Sequence, residues 1–185
     1  MPTPNSTDRA RALLRDLGAE RIPHPGGTLL AHLDRVRTRL AQWGARPDLQ
    51  TAGLCHACYG TDGFPEALLP LDRRAELAAV IGEAAEEIVR RYAGCAREAT
   101  YATLGGPDVR FHDRFTGTAD TPSRAELSDF AELTAANEID LAAGNPAFRD
   151  RHGPGLLALF TRLRPLLSEA AWDDCRTVLG SAGRP

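Results

Sequence analysis

Thr28-Leu-Leu-Ala-His-Leu-Asp-Arg-Val36 and Ala52-Gly-Leu-Cys-His-Ala-Cys-Tyr-Gly-Thr61 decide how this chain folds, because each carries one histidine on the apolar side of a predicted helix. Leu29, Leu33, Val36, Leu40 and Trp43 recur at helical spacing from Thr28 until Gly44, and His32 falls on that stripe. Pro47 and Asp48 open the next helix, which carries Leu49, Ala52, His56 and Tyr59 inward and stops at Gly60. It is rich in small residues, as close packing requires. A buried imidazole needs a hydrogen-bond partner, a protonation switch or a metal, because leaving it unpaired costs roughly 1 to 3 kcal/mol.

Outward from this pair the pattern stays helical. A first helix is predicted over Asp8 to Leu17, with Thr7 as cap and Gly18 as terminator. Ile22-Pro-His-Pro-Gly-Gly27 is broken by two prolines and two glycines, which puts His24 on a loop. Beyond Pro70 one longer helix carries Leu77, Val80, Ile81, Ala84, Ile88 and Tyr92 inward. Residues 99–122 read as turns around one short strand. Ser123-Arg-Ala-Glu126 is a capping box that starts a helix through Leu127, Phe130, Thr134 and Leu141, with Asn137 on its apolar side and Gly144-Asn-Pro146 at its end. Helices over Gly155 to Leu163 and Ser168 to Leu179 complete an all-α reading, a single domain over 1–185 with its motif-bearing part at 20–145 and C-terminal helices over 153–180.

Composition removes several function classes. The 22 basic residues are all arginine, so Schiff-base chemistry through lysine is excluded. A net charge of -3, with arginine scattered among acids, offers no basic face for nucleic acid. No apolar run approaches the ~18 residues of a membrane span. The start, Met1-Pro-Thr-Pro-Asn-Ser-Thr-Asp8, has neither a basic nor an apolar segment, so the expected location is cytoplasmic. Cys55, Cys58, Cys95 and Cys175 are unevenly spaced and read as reduced, small buried residues. Gly26-Gly27 and Gly105-Gly106 lack the spacing of phosphate-cradling loops, so no nucleotide cofactor is expected.

The runs His24-Pro-Gly-Gly-Thr-Leu-Leu-Ala-His32, Trp43-Gly44 and Ala52-Gly-Leu-Cys-His56-Ala-Cys-Tyr-Gly-Thr61, with Arg114-Phe-Thr-Gly117 and Ala136-Asn137, resemble DUF6817, a family of unknown function similar to a degenerate HD domain. The resemblance covers roughly residues 20–145 and implies an HD-domain-like helical bundle with one irregular segment around 99–122. HD proteins hold one or two metals through a helix His, a consecutive His-Asp pair and a later Asp. Most hydrolyse phosphate esters, and a minority are di-iron oxygenases. By that resemblance His32 matches the first His and His56 the His of the pair. Ala57 stands where the paired Asp belongs, and Asn137 matches the final Asp, with Glu138 and Asp140 close by. Loss of the bridging carboxylate points to one metal or none.

Three neutral imidazoles with an open position suit one divalent first-row metal such as zinc or iron. The expected ligands are His24, His32, His56 and Asp140. Tyr59, Asn137 and Glu138 are the expected catalytic groups, and Thr61 and Arg114 the expected substrate contacts. His112, beside Asp113, and His152 read as loop and turn residues. The leading expectation is a water-activating metal enzyme acting on a small molecule. An O2-dependent mononuclear iron oxidoreductase is the second reading, and a non-catalytic module binding a small molecule or a partner helix is the third. The last helices, with Trp172 and Val178, could serve a homodimer contact.

Overall fold

The computed structural model describes residues 5–180, and its architecture is mostly helical. In chain order the elements are α1 (Ser6–Asp16), β1 (Pro23–His24), β2 (Gly27–Thr28), α2 (Leu29–Gln42), α3 (Pro47–Cys55), α4 (Arg74–Ile81), α5 (Glu83–Gly94) and α6 (Arg97–Thr103). They continue with β3 (Phe111–Asp113), β4 (Thr118–Asp120), α7 (Arg124–Gly144), α8 (Pro146–Arg162) and α9 (Glu169–Leu179), with single 3-10 turns at Leu71–Arg73 and Arg164–Leu166. Residues 1–4, part of the Met1–Asp8 stretch read above, and 181–185, the end of the expected 1–185 domain, lie outside the described residues. Among the described residues no helix is long and apolar enough to cross a membrane.

Helix α7 is the axis of the molecule. It is buried on every side from Phe130 to Asp140, and α2, α5, α8 and α9 all pack on it. Four of its positions, Ala131, Ala135, Ala136 and Ala142, are small enough to let those neighbours approach. Its start is the expected capping box: Ser123 accepts from the Glu126 N–H, and Glu126 accepts from the Ser123 N–H at 2.8 Å. Two apolar clusters flank the axis. One gathers Val36, Leu40, Phe111, Phe130, Leu133, Phe160 and Cys175; the other gathers Leu14, Leu33, Leu54, Leu69, Leu77 and Val89, and Ile88 packs against both. Trp172 and Val178 rest half-buried against the first cluster, and the Trp172 ring also faces Arg164 and Arg176.

Helices α2 and α3 pack closely. Gly53 faces Leu40 and Val36, and a Cβ at that position would fall 2.4 Å from Leu40 Cδ1. Helices α2 and α3 therefore lie close together with His32 and the residues after Cys55 at the same end. Thr28 caps α2 through its hydroxyl, which accepts from the Ala31 N–H.

Several expected boundaries move, each for a local reason. Helix α1 starts two residues early because the Asn5 side chain, not Thr7, accepts from the Asp8 N–H at 2.9 Å. The 22–27 loop closes into a hairpin in which Pro23 pairs Thr28 and His24 pairs Gly27; Pro25 and Gly26, at φ +82°, form its two-residue turn. Helix α3 ends at Cys55 instead of Tyr59, so His56 caps it. The long helix after Pro70 is two, broken at Gly82, whose φ of +89° no helix accommodates. Residues 99–122 are more ordered than a run of turns: α6 occupies their beginning, and β3 and β4 form an antiparallel hairpin in which His112 pairs Ala119. Gly153-Pro-Gly155 does not open a helix. Helix α8 has already begun at Pro146, capped by the Asn145 side chain on the Phe148 N–H, and runs through Pro154.

Candidate functional site

The end of α2 that carries His32 opens into a cavity of about 250 Å³. The β1–β2 hairpin supplies His24 and Pro25, α2 supplies Leu29 and His32, and the turn after α3 supplies His56 and Ala57. Thr61, Gly63 and Phe64 come from the following loop, Arg97 from the start of α6, and Asn137, Glu138 and Leu141 from α7. Asn145 and Phe148 close the far side.

The three imidazoles of His24, His32 and His56 form a contiguous row. His24 stacks on His32 with ring centroids 4.2 Å apart, and His56 meets His32 edge to face at 5.3 Å. His32 is held at both nitrogens: Nδ1 lies 2.7 Å from Asp140 Oδ2 and Nε2 lies 3.0 Å from Asn137 Oδ1. Asp140 and Asn137 sit one turn apart on α7, so a single helix face grips both ends of one ring. His56 donates Nδ1–H to the Gly53 carbonyl at 2.8 Å, which leaves its Nε2 as the lone-pair nitrogen. His24 keeps a buried Nδ1 with no hydrogen-bond partner.

Electrostatics keep the outer rings neutral. Burial, followed by the charge of nearby His32, lowers His56 to about 3, and the Gly53 carbonyl offsets only part of this. The same two causes lower His24 to about 4, tempered by the Pro25 backbone. Burial raises Glu138, with Arg97 and Asn137 pulling the other way. Burial would also raise Asp140, but hydrogen bonds from His32 and Arg35 outweigh it and hold that carboxyl below the usual range.

Four of the expected residues stand elsewhere or act otherwise. Asp140 is absent from the cavity wall: its Oδ1 accepts from Arg35 Nε at 2.8 Å, and its Oδ2 is shared by Arg35 Nη2 and His32. It therefore orients His32 from behind instead of offering a free oxygen to a metal. Tyr59 points away from the row and donates its hydroxyl to Glu86 Oε1 at 2.7 Å, a carboxylate also clamped by Arg74 at 2.8 and 2.6 Å. Arg114 spends its guanidinium on the Ala93 and Tyr59 carbonyls and stacks over Phe115. Thr61 does line the cavity, but its hydroxyl oxygen accepts from the Phe64 N–H and so shapes the turn that delivers Phe64. Tyr59→Phe is therefore expected to leave metal content and ligand binding unchanged while lowering unfolding free energy by about 1 kcal/mol, a typical hydrogen-bond contribution. Paired urea melts and binding isotherms check this, and a loss of binding at unchanged stability would return Tyr59 to the site.

Asn137 and Glu138 are in place at the cavity, and Asn137 Nδ2 donates to Glu138 Oε1 at 3.3 Å. Two further residues escape sequence reasoning. Arg35 fixes Asp140, and Arg97 reaches the cavity from α6, where nothing local separates it from the other arginines of the chain. His112 lies half-buried on β3, and its neighbour Asp113 pairs with Arg90 at 2.6 Å. His152 is exposed on α8 with its ring against Phe148. All four cysteines are buried.

One comparison with known proteins matches a segment that holds most of this wall. Residues 13–97 match DUF6817, a domain of unknown function. The DUF6817 segment runs from within α1 to the first residue of α6 and contributes His24, His32, His56, Thr61 and Arg97. Asn137, Glu138 and Asp140 lie beyond it on α7. Searches of curated proteins and of solved structures found no match.

The donor set fits a single metal ion in chemistry. A backbone carbonyl and a carboxylate orient Nδ1 of His56 and His32, which is how ligating imidazoles are commonly aimed through Nε2. The unpartnered Nδ1 of His24 and the carbonyl oxygen of Asn137 would complete an N/O set once Asn137 Oδ1 gives up its 3.0 Å contact with His32 Nε2. Among the described residues, no three His, Cys, Asp or Glu side chains already converge on one point, so binding an ion requires the rings to draw in.

Proposed function

We propose that the cavity is the active site of a small-molecule enzyme that uses one divalent metal ion held by His24, His32 and His56, with Asn137 beside them. The observation that carries this reading is the row of three imidazoles on one cavity, two of them pinned through Nδ1 and the third with a buried nitrogen that has no partner. A metal bound there supplies a Lewis acid that brings bound water toward neutral pKa. Asp140, locked by Arg35, holds the His32 tautomer. Glu138, buried and displaced upward in pKa, is the group able to hold a proton at the cavity wall. Phe64, Phe148, Leu29 and Leu141 exclude water and receive the apolar part of a substrate. Hydrolysis, hydration or elimination are the reactions this set serves.

A second reading rests on His32 alone. Both of its nitrogens already have hydrogen-bond partners, Asp140 and Asn137 Oδ1, so the ring is satisfied without a metal. In that case the cavity is a metal-free binding site. Elemental analysis of tag-free protein purified without added metal or chelator, beside His32→Ala, separates the two. Near-stoichiometric metal that falls by at least tenfold in the variant is expected on the first reading. Metal-free protein whose melting temperature ignores added zinc, iron, nickel and manganese refutes it and leaves the second.

A further inference from the structure

We infer that the ligand of this cavity is a small carboxylic acid with an apolar body, and that Arg97 binds its carboxylate. The inference rests on reading the cavity as a small-molecule site and is independent of whether a metal is held there.

Arg97 uses little of its donor capacity, in contrast to the clamped arginines of the fold. Arg74 grips Glu86 through two nitrogens, Arg46 grips Asp129 through two, and Arg35 does the same to Asp140. Among the described residues the Arg97 guanidinium, with five N–H donors, makes one long hydrogen bond, Nη1 to Glu138 Oε1 at 3.4 Å. Its side chain lines the cavity and keeps 29% of its surface accessible, so the remaining donors face space that a ligand can enter. The position is built. The Arg97 N–H donates to Asp62 Oδ2 at 2.8 Å, which fixes the start of α6, and the guanidinium lies on Gly63, where a Cβ would come within 2.9 Å of Nη1. Gly63 thus leaves the room that the arginine fork occupies.

A planar fork with free donors matches a carboxylate through two parallel hydrogen bonds. The rest of the wall selects the other end of the ligand: Pro25, Leu29, Phe64, Leu141 and Phe148 are apolar, and about 250 Å³ admits a metabolite-sized body. Arg97 is the one arginine on this wall among the described residues, and a single guanidinium balances the charge of a monoanion but not of a dianion, which favours carboxylate over phosphate.

The test is calorimetric titration of the chelator-treated full chain with benzoate, phenylacetate and hexanoate, with benzamide and phenylacetamide as neutral counterparts and phenyl phosphate as the competing anion. At least one carboxylate is expected to bind, with its amide about tenfold weaker or worse, because charge-assisted bonds are lost. Arg97→Gln is expected to weaken the carboxylate by about tenfold or more and leave the amide unchanged; Arg97→Lys, which keeps charge without the fork, falls between. The wild-type comparison of acid with amide needs no variant and stands even if Arg97→Gln misfolds. Equal affinity for acid and amide, tighter binding of phenyl phosphate than of every carboxylate, no carboxylate binding, or a folded Arg97→Gln with unchanged affinity would each overturn the inference. Loss of binding in His32→Ala with retention in Arg97→Gln would move the anion onto the histidine row and overturn it too. Metal content is read separately, so this inference and the metal reading fail independently.

Discussion

Metal-free protein, held in chelator, is expected to lose on the order of 3 kcal/mol of unfolding free energy between pH 6.5 and pH 4.5, with His56 as the largest single source. The sign follows from proton counting. In the unfolded chain His56 takes up a proton near pH 6.5, whereas in the fold its pKa is lowered to about 3 by burial and by His32. Between those values the unfolded state binds more protons, so stability falls as pH falls, by about 1.4 kcal/mol per unit for one such group. His24, lowered to about 4, adds a smaller part over the same window because its ring is less deeply enclosed. Asp140 also has a depressed pKa, so its contribution is present above its unfolded value and is lost only as pH falls below about 4. The histidine and Asp140 windows overlap only between about pH 4 and 3, and Glu138, displaced upward, acts with the opposite sign, so the difference between wild type and variant is the quantity that reports His56. Urea melts of wild type and His56→Gln at half-unit intervals isolate His56: the variant is expected to show a shallower slope between pH 6.5 and 4.5 and the same slope only below about 3. Identical slopes in the upper window would mean that His56 is charged or solvated in the fold.

Local chemistry made most of the helices legible. The capping box at Ser123 and Glu126 and the Leu29–Leu33–Val36–Leu40 stripe that begins near Thr28 depend on residues within a few turns, and each appears in the structure where it is read in the chain. The histidine row was legible in part for the same reason, since His32 and His56 each mark the inward side of a short segment. What the two rings touch was not. Asp140 and Asn137 contact His32 across more than 100 positions of sequence, and nothing in their own surroundings tells which takes Nδ1 and which Nε2. Tyr59 misleads because a helical projection carries it one turn beyond His56, but α3 has already ended at Cys55 and the backbone turns at Gly60, φ +66°. Arg97 has no local signal whatever. Its role comes from α6 packing beside Asp62 and Gly63, a long-range arrangement in a chain where arginine supplies every fixed cation. The irregular segment was misjudged because Gly105-Gly-Pro-Asp108 dominates its composition, while the flanking Arg97–Thr103 helix and the 111–120 hairpin are stabilised by contacts between them, including the Thr100 hydroxyl on the His112 N–H.

Asp140→Ala is expected to be the most damaging single substitution near the cavity. The carboxylate is 4% exposed and accepts three hydrogen bonds, from His32 Nδ1 at 2.7 Å and from Arg35 at 2.8 and 3.0 Å. Deleting it strands a buried imidazole N–H and one face of a guanidinium. Breaking a fully buried pair costs about 3 to 5 kcal/mol, but Arg35 is 40% exposed and can recover water, so about 2 to 3 kcal/mol is expected here. In a chain of this size that corresponds to a melting temperature lower by roughly 5 to 10 °C. Asp140→Asn separates structure from chemistry. The amide keeps the shape and one acceptor, so stability is expected to recover by about half, whereas its NH2 group cannot accept the His32 proton with carboxylate strength. If a metal binds through His32, both variants weaken it by about 10- to 100-fold, as removal of an orienting carboxylate typically does. Should Asp140→Asn restore stability and metal affinity together, the carboxylate would be a packing element, and His32 would owe its orientation to Asn137 alone.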